Sequence, residues 1–257
     1  MSKRTAFIMG ASQGIGKAIA LKLADNGFHT IINSRVPENI ESVKEEILAK
    51  HPDAGVTVLA GDMSDQKTRT GIFEDIRSQC GRLDVLINNI PGGAPDTFEN
   101  CDIENMTNTF TNKTIAYIDS MKTAAAIMKQ HESGRIINIV GNLWKEPGAD
   151  MFTNSMMNAA LINASKNIAT QLAPFHITVN CLNPGFMATD RYHQFVQNMM
   201  KQNGISEAEA RIASGVPMKR VGTAEEAAAL AAFLAAEGAS YITGQQVSAD
   251  GGSMKSI

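Results

Sequence analysis

The chain has 257 residues, of which 44% are hydrophobic and 19% are charged, so it can bury the core of one large α/β domain or of two small ones. Its net charge of −3 gives no reason to expect a nucleic-acid partner or an anionic membrane surface. Three cysteines stand far apart without a CxxC pair, so we expect free thiols and no metal site. No apolar run approaches the length of a membrane span and no signal peptide is visible, which predicts a cytoplasmic protein.

Short apolar runs alternate with amphipathic stretches along most of the sequence, which predicts strands that alternate with helices. The predicted strands are Thr5–Met9, His29–Asn33, Val56–Ala60, Val85–Ile87, Arg135–Val140, Thr178–Leu182 and Gln246–Ala249. The predicted helices are Lys17–Asn26 with Gly27 as its cap, Ile40–Lys50, Thr68–Gln79, a long helix that ends with Met121–His131, Met156–Ala173 and Ala224–Ala236. Right-handed crossovers between such strands give a parallel sheet that helices cover on both faces. The predicted fold class is therefore α/β, with a doubly wound parallel sheet.

One segment interrupts this alternation. It runs from about residue 190 to residue 218, between the sixth predicted strand and the next helix, and it is polar, rich in Met and punctuated by Gly. We expect it to form an inserted helical lid over a substrate pocket. The whole chain, residues 1–257, is expected to form a single domain in which this segment is an insertion.

A glycine-rich turn joins the first strand to the first helix, with the sequence Gly10-Ala11-Ser12-Gln13-Gly14-Ile15-Gly16. Glycine lets the backbone turn tightly and approach a pyrophosphate, while the helix N-terminus supplies N–H groups and positive potential. A turn without a ligand is the alternative, but the position between the first strand and the first helix favours dinucleotide binding. The residues expected to contact the cofactor here are Gly10, Ser12, Gln13, Gly14, Ile15 and Gly16.

The GxxxGxG spacing of this turn resembles the short-chain dehydrogenase/reductase family. Further motifs of that family follow in chain order over essentially the whole sequence: Gly61-Asp62-Met63, Asn88-Asn89, Asn183-Pro184-Gly185 with Thr189, and Tyr241–Gln245 with Asp250-Gly251-Gly252. The resemblance implies a Rossmann fold and an oxidoreductase that acts on a small molecule. It also implies a homo-oligomer, a dimer or tetramer, that pairs through the long helices around 105–130 and 154–173.

The same resemblance assigns cofactor contacts outside the glycine turn. It implies adenine contacts at Asp62 and Met63, a contact at Asn89, and contacts beside the nicotinamide at Pro184, Gly185 and Thr189. Asp62 is also a candidate N-cap of the following helix, in competition with Ser64 and Asp65. Both roles of Asp62 are compatible.

The end of the second strand bears on the choice of nicotinamide. The position that carries a carboxylate in NAD-specific sites falls at Ser34, within Asn33-Ser34-Arg35. Arg35 offers forked donors that suit a 2′-phosphate, so Ser34 and Arg35 predict NADP over NAD. A solvated surface position for Arg35, with NAD as the cofactor, is the alternative.

The residues that carry the family's proton chemistry are absent. The family uses a Tyr with a Lys four residues later on one helix, together with a Ser and a supporting Asn. The three tyrosines, Tyr117, Tyr192 and Tyr241, are followed four residues later by Met121, Val196 and Gln245. Alignment by the surrounding motifs puts Gly141 at the Ser position, Asn154 at the Tyr position and Asn158 at the Lys position. The supporting Asn is expected at Asn112.

An Asn side chain does not titrate, but it both donates and accepts hydrogen bonds. The candidate catalytic residues are therefore Asn112, Asn154, which is suited to hold an oxyanion, and Asn158, which is suited to bind the nicotinamide ribose. The expected substrate contacts are Gly141, Asn142, Trp144, Lys145, Tyr192 and His193. The candidate substitutes for the missing proton donor are Lys145, Tyr192 and His193, each weighed against an ordinary loop position.

These observations predict an NADP(H)-dependent oxidoreductase with an atypical active site. The substrate is expected to carry an activated C=C or C=N bond, because the reduction of these bonds needs less from a protein acid. A carbonyl substrate is kept as a further possibility. One alternative is a non-redox isomerase, dehydratase or lyase in which Asn112, Asn142 and Asn154 stabilise an enolate-like oxyanion. The other is a catalytically silent NADP-binding partner. No metal, nucleic acid or membrane is expected to bind.

Overall fold

The computed structural model describes residues 3–203, 212 and 215–256. The strands are Thr5–Ile8 (β1), His29–Ser34 (β2), Val56–Ala60 (β3), Val85–Asn88 (β4), Gly134–Ile139 (β5), Ile177–Pro184 (β6), Met187–Ala188 (β7), Gly222–Thr223 (β8) and Gln246–Ala249 (β9). The helices are Gly14–Asp25 (α1), Pro37–Lys50 (α2), Gln66–Cys80 (α3), Ile103–Thr109 (α4), Ala116–Met128 (α5), Phe152–Leu172 (α6), Asp190–Asn203 (α7) and Ala224–Ala235 (α8). A π-helical turn, Phe110–Ile115, joins α4 to α5, and a 3₁₀ turn, Asn142–Trp144, follows β5.

Seven strands form one parallel sheet in the order β3-β2-β1-β4-β5-β6-β9. In the centre, Phe7 of β1 lies between Ile31 of β2 and Leu86 of β4. The chain builds one half of the sheet outward from β1 and then returns to build the other half from β4. The two halves therefore diverge at β1 and β4, and ligands of such sheets bind outside the carboxyl ends of the strands at this point. The predicted fold class, a doubly wound α/β sheet in a single domain, is confirmed.

Each face of the sheet has its own core. One core packs α1, α2 and α8 against the sheet and includes Ile8, Leu23 and Leu234. The other packs α3, α5 and α6 against the opposite face and includes Phe7 and Met121. Successive strand residues point to opposite faces, so Phe7 and Ile8 enter different cores.

Helices α1, α2, α3 and α6 begin earlier than the sequence pattern predicts, whereas α8 begins at Ala224 as predicted. Helix α1 begins at Gly14 instead of Lys17, because the glycine turn itself enters the helix. Helix α2 begins at Pro37, since proline is suited to the first helical position. Helix α6 begins at Phe152 instead of Met156, which places Asn154 in its first turn.

The predicted lid is partly described. Helix α7 follows the short ribbon strand β7, which pairs in parallel with β8 and so holds the two ends of the segment together. Residues 204–211, 213 and 214 of the predicted lid lie outside the described residues.

The described part of the chain contains no helix long and apolar enough to cross a membrane. Its three cysteines are unpaired, and the described His, Cys, Asp and Glu residues form no group that would hold a metal ion.

Candidate active site

The glycine turn lies at the carboxyl end of β1, where the two halves of the sheet diverge. Gly10 and Gly14 have φ angles of 66° and 54°, in the left-handed region that favours glycine. Gln13, the N-cap of α1, makes no side-chain hydrogen bond to the helix. The first N–H groups of α1 therefore have no side-chain cap and can bind an anion such as a pyrophosphate.

The turn packs against the residue that follows β4. A Cβ atom at Gly10 would overlap the carbonyl oxygen of Asn89, and a Cβ atom at Gly16 would overlap the carbonyl oxygen of Gly10. The amide of Asn89 donates to the carbonyl of Gly10 at 3.1 Å. Ser12 and Ile15 are half-buried on the same turn. The six predicted residues of the turn thus form one cradle that fits a dinucleotide, and Asn89 holds this cradle in place.

The ends of β2 and β3 form the next part of the cleft. Arg35 directly follows β2 and is exposed, and its guanidinium has no partner among the described residues. Ser34 is buried at the strand end, and its hydroxyl accepts the N–H of Val36 at 3.4 Å. Arg35 is thus a cation available for a ligand.

Asp62 follows β3 and forms a tight turn of its own. Its carboxylate accepts the N–H of Ser64 at 2.9 Å and the hydroxyl of Ser64 at 2.7 Å. The N-cap of α3 is Asp65, which accepts the N–H of Thr68 at 2.7 Å, so Asp62 does not cap this helix. The neighbouring Met63 is buried.

The turn after β6 closes the cleft from the other side. Gly185 follows Pro184 and lies so close to Asp250 that an added Cβ atom would stand 2.8 Å from the Cβ of Asp250. Thr189 then faces the glycine turn, because its methyl group would lie 3.3 Å from a Cβ atom at Gly14. Thr189, predicted beside the nicotinamide, therefore faces Gly14 of the predicted phosphate-side turn.

The two amides predicted on α6 have different surroundings. Asn154 is buried, and its NH₂ group donates to the carbonyls of Gly93 at 3.2 Å and Ala94 at 3.3 Å. These donors hold the loop after β4, so the predicted oxyanion-binding position of Asn154 needs correction. Asn158 is buried beside Gly141, and its Oδ1 atom has no partner in the described part of the chain.

Asn112 does not join these amides. It is exposed and faces an open cavity of about 460 Å³ whose other lining residues include Ser64, Gln66 and Asp119. The π-helical turn gives the interior position to the next residue, Lys113. The predicted supporting role of Asn112 is therefore corrected.

Lys113 is the one candidate that the sequence analysis missed. It is 6% exposed, and its Nζ atom lies 5.7 Å from the centre of the Tyr117 ring. Burial lowers the pKa of Lys113 to about 8, and the nearby positive charge of Arg191 adds to this effect. None of the described carboxylates forms an ion pair with it. Lys113, Tyr117 and Met121 are spaced four residues apart and so lie on one face of the helix. This spacing is the sequence pattern that indicates the burial of Lys113.

The hydrogen bonds of Tyr117, whose ring lies beside the Lys113 amine, show where Lys113 stands in the fold. Its hydroxyl accepts the N–H of Ile90 at 2.8 Å and lies within donating distance of the carbonyls of Ile90, at 3.2 Å, and Ile139, at 3.3 Å. Burial raises the pKa of Tyr117 above its ordinary value, which makes it a poor acid. Because Ile90 and Ile139 lie at the carboxyl ends of β4 and β5, Lys113 stands at the same edge as the glycine turn.

The substrate-side loop, residues 141–146, follows β5. Gly141 has a φ angle of 85°, and an added Cβ atom would lie 3.7 Å from the amide nitrogen of Asn158. The indole nitrogen of Trp144 is buried without a partner among the described residues, and Lys145 Nζ lies 5.7 Å from the indole ring. Asn142 instead turns away and bonds to the C-terminal part of the chain, so its predicted substrate contact is corrected.

The lid side carries the last two predicted substrate residues. Tyr192 is buried, with its ring 6.2 Å from the ring of Phe186 and 5.5 Å from that of His193. Its backbone N–H donates to the Thr189 hydroxyl at 3.3 Å, which ties the start of α7 to the cleft. Tyr192 thus packs within the lid, and His193 stays exposed beside it.

Several buried polar atoms beside the cleft have no partner within the described residues. They are Asn158 Oδ1, Trp144 Nε1 and both amide atoms of Asn183. A buried polar group without a hydrogen bond costs about 1–3 kcal/mol, so native proteins rarely leave one unmade. A polar ligand in the cleft would supply the hydrogen-bond partners that these atoms lack.

The fold and the cleft together define a short-chain dehydrogenase/reductase, and the chain belongs to that family. The family model that matches, described as enoyl-(acyl carrier protein) reductase, covers residues 10–254.

Individual relatives agree with this assignment. The chain is 80% identical to the NADPH-dependent reductase BacG of Bacillus subtilis over the whole of both proteins. It superposes with a TM-score of 0.97 on the crystal structure of YwfH, an NADPH-dependent reductase involved in bacilysin biosynthesis, at 79% identity over all of both chains. An L-sorbose reductase from Gluconobacter frateurii, solved with NADPH and L-sorbose, gives a TM-score of 0.94 at 27% identity, over 100% of this chain and 98% of that one.

Proposed function

We propose that this chain reduces the C=C bond of an enone, using hydride from NADPH and a proton from Lys113. One observation carries the proposal. The helix α6 positions that hold a phenol and an ammonium in the family hold the neutral amides of Asn154 and Asn158, while Lys113 is a buried amine at the carboxyl ends of β4 and β5.

The broader class of the enzyme follows from its relatives. The chain is an oxidoreductase, and the predicted NADP(H) cofactor is confirmed by its 80% identity to an NADPH-dependent reductase. The non-redox alternative and the catalytically silent alternative are therefore set aside. A cytoplasmic location and a homo-oligomer, dimer or tetramer, stay predictions from the sequence.

The cradle of Gly10, Gly14 and Gly16 would hold the pyrophosphate, and Arg35 would hold the 2′-phosphate. Asn158 would accept a hydrogen bond from a ribose hydroxyl through its unpartnered Oδ1 atom. When it is bound, NADPH supplies the hydride.

Lys113 supplies the proton in this scheme. Hydride addition to the β-carbon of an enone leaves an enolate, and transfer of one proton from the Lys113 ammonium completes the saturated ketone. The neutral amine then regains its proton from solvent. A pKa of about 8 suits this step, because a general acid works best when its pKa lies near the operating pH.

The missing phenol explains the preference for C=C over C=O. Hydride addition to a ketone leaves a localised alkoxide, which needs an acid aimed at the oxygen. An enolate spreads its charge over oxygen and carbon, so it is less basic and tolerates a more distant donor. Neither Asn154 nor Tyr117 is placed to protonate an alkoxide oxygen. The N–H groups of Asn154 hold the loop after β4, and the hydroxyl of Tyr117 binds the backbone.

The test follows NADPH absorbance with cyclohexenone, cyclohexanone and a cyclic imine. We expect NADPH oxidation with cyclohexenone, cyclohexanone as its only product, and no oxidation when cyclohexanone is the substrate. The imine and the saturated ketone represent the C=N and carbonyl substrates that the sequence also allows. Formation of cyclohexenol would show reduction at the carbonyl and contradict the proposal.

Arg35 provides a separate prediction about the cofactor. The Arg35→Ala variant should raise the KM for NADPH by roughly 10–100-fold, because a charge-assisted bond contributes about 1.5–3 kcal/mol. The KM for NADH should stay within about twofold, since NADH has no 2′-phosphate. Arg77→Ala, at an exposed position on α3, is the matched control. Equal losses with both cofactors would contradict the assignment of Arg35.

A further inference from the structure

The substrate-side loop is bonded to the C-terminal end of the described chain. It carries Gly141, beside the Asn158 amide, and Trp144, whose buried indole N–H has no partner among the described residues. It also carries Asn142 and Glu146, whose side chains bind residues near the C-terminal end of the described chain. The unpartnered indole N–H thus belongs to a loop that other side chains hold in place.

The first anchor is Asn142. Its Nδ2 atom donates to Asp250 Oδ2 at 2.8 Å, and its Oδ1 atom accepts the hydroxyl of Ser248 at 3.2 Å. Both ends of the amide are therefore used, and any rotation of Asn142 would break a bond. The Asp250 carboxylate also accepts the N–H groups of Gly252 and Met254, each at 3.0 Å, so the C-terminal tail, residues 252–256, wraps around the same carboxylate.

The second anchor is Glu146, at the other end of the loop. Its Oε1 atom accepts the N–H groups of Lys255 and Ser256, each at 2.6 Å. These bonds lower the pKa of the Glu146 carboxyl, the bond from Ser256 having the largest effect. One carboxylate oxygen thus holds two successive backbone groups of the tail with charge-assisted hydrogen bonds, which are stronger than neutral ones.

From these contacts we infer that the C-terminal tail is a strap that fixes the substrate-side loop, with Glu146 and Asn142 as positioning residues for Trp144. The Trp144 N–H then stands ready to donate to an acceptor atom of the substrate, such as a carbonyl oxygen. The inference rests on the proposed function only in placing the substrate beside this loop. Release of the strap should therefore weaken substrate binding while NADPH, held by the glycine turn, binds as before.

The chain contains a single tryptophan, so its intrinsic fluorescence reports this loop directly. We would measure acrylamide quenching of Trp144 in the full chain, in Glu146→Ala, in Glu146→Gln, and in a chain truncated after Met254. The Ala variant and the truncation should each raise the quenching constant by about threefold, because a locally released loop exposes its side chains. Combining them should add nothing, since both remove the same pair of hydrogen bonds.

Two variants separate positioning from general damage. Glu146→Gln keeps an oxygen that accepts the same two N–H groups, so its quenching should stay close to that of the unmodified chain. Glu45→Ala changes an exposed glutamate on α2 and should leave both quenching and turnover unchanged. Quenching that is unaltered in both Glu146→Ala and the truncated chain would overturn the strap.

Turnover supplies the second readout. In Glu146→Ala the KM for the enone should rise about tenfold, equivalent to one lost positioning bond, with kcat and the Kd for NADPH within about twofold. A fall in kcat at unchanged KM would contradict the positioning role. If the chain reduced no enone at all, the proposed function would fail, while the quenching result would still decide the strap.

Discussion

Replacement of Lys113 by Met is expected to lower kcat for enone reduction by about 10²–10⁴-fold, the usual contribution of a general acid. Met keeps most of the length of the side chain but has no proton to give. The KM for NADPH should change little, because the cofactor cradle lies in other residues. The rate is measured from NADPH absorbance under saturating substrate.

The pH profile identifies the group responsible. The acid must be in its ammonium form, so kcat of the unmodified enzyme should fall as pH rises through about 8, the pKa of Lys113. The residual rate of Lys113→Met should lack this fall. Lys122→Met, at an exposed position on α5, is the matched control and should keep both the rate and the profile. A kcat of Lys113→Met within about twofold of the unmodified enzyme would remove Lys113 from the mechanism.

Thermal unfolding of Lys113→Met separates a role of Lys113 in function from a role in stability. The pKa of Lys113 lies near 8 in the fold against an ordinary 10.5, so the buried ammonium costs about 3 kcal/mol at neutral pH. This cost is fully present below pH 8 and fades as pH rises toward 10.5, where the unfolded chain also loses the proton. Lys113→Met should therefore unfold at a higher temperature than the unmodified enzyme at pH 7. A loss of activity without a loss of stability would assign Lys113 to function.

Local sequence patterns predict those parts of the site that are formed by residues close together in the sequence. The glycine turn is such a part, because Gly10, Gly14 and Gly16 owe their roles to one strand-to-helix connection. The parallel sheet is another, since alternating apolar runs and amphipathic stretches leave few topologies. Arg35 was found in the same way, as the residue that directly follows β2.

The rest of the site depends on contacts between distant segments. Asn154 holds carbonyls 60 and 61 residues earlier in the chain, and no local pattern shows that its donors are used. The π-helical turn adds a residue to the helical path and so exchanges the interior position between Asn112 and Lys113. The contacts of Glu146 with the tail span 109 and 110 residues. Local patterns therefore predict a cleft at the strand ends, but they do not show where the side chains of Asn112, Asn142 and Asn154 turn.

The second large effect is expected at Gly16. In Gly16→Ala the new Cβ atom would overlap the carbonyl oxygen of Gly10 and crowd the amide of Asn89, so the glycine turn must move. The N–H groups that would bind the pyrophosphate move with it. We expect the Kd for NADPH to rise at least 100-fold, about 2.7 kcal/mol, and apo-protein stability to fall by about 1–3 kcal/mol from overpacking.

Gly71→Ala is the control for this substitution. Gly71 lies inside α3 with open space around its Cβ position, so Ala should leave NADPH binding unchanged and stabilise the helix by about 0.5–1 kcal/mol. Calorimetric titration with NADPH and thermal unfolding without it separate the two effects. Stability and NADPH binding both depend on the glycine turn. A folded Gly16→Ala protein that binds NADPH normally would therefore show that the pyrophosphate binds elsewhere. The proposed pyrophosphate site between Gly14 and Thr189 would then be wrong, and so would the hydride transfer proposed for this cleft.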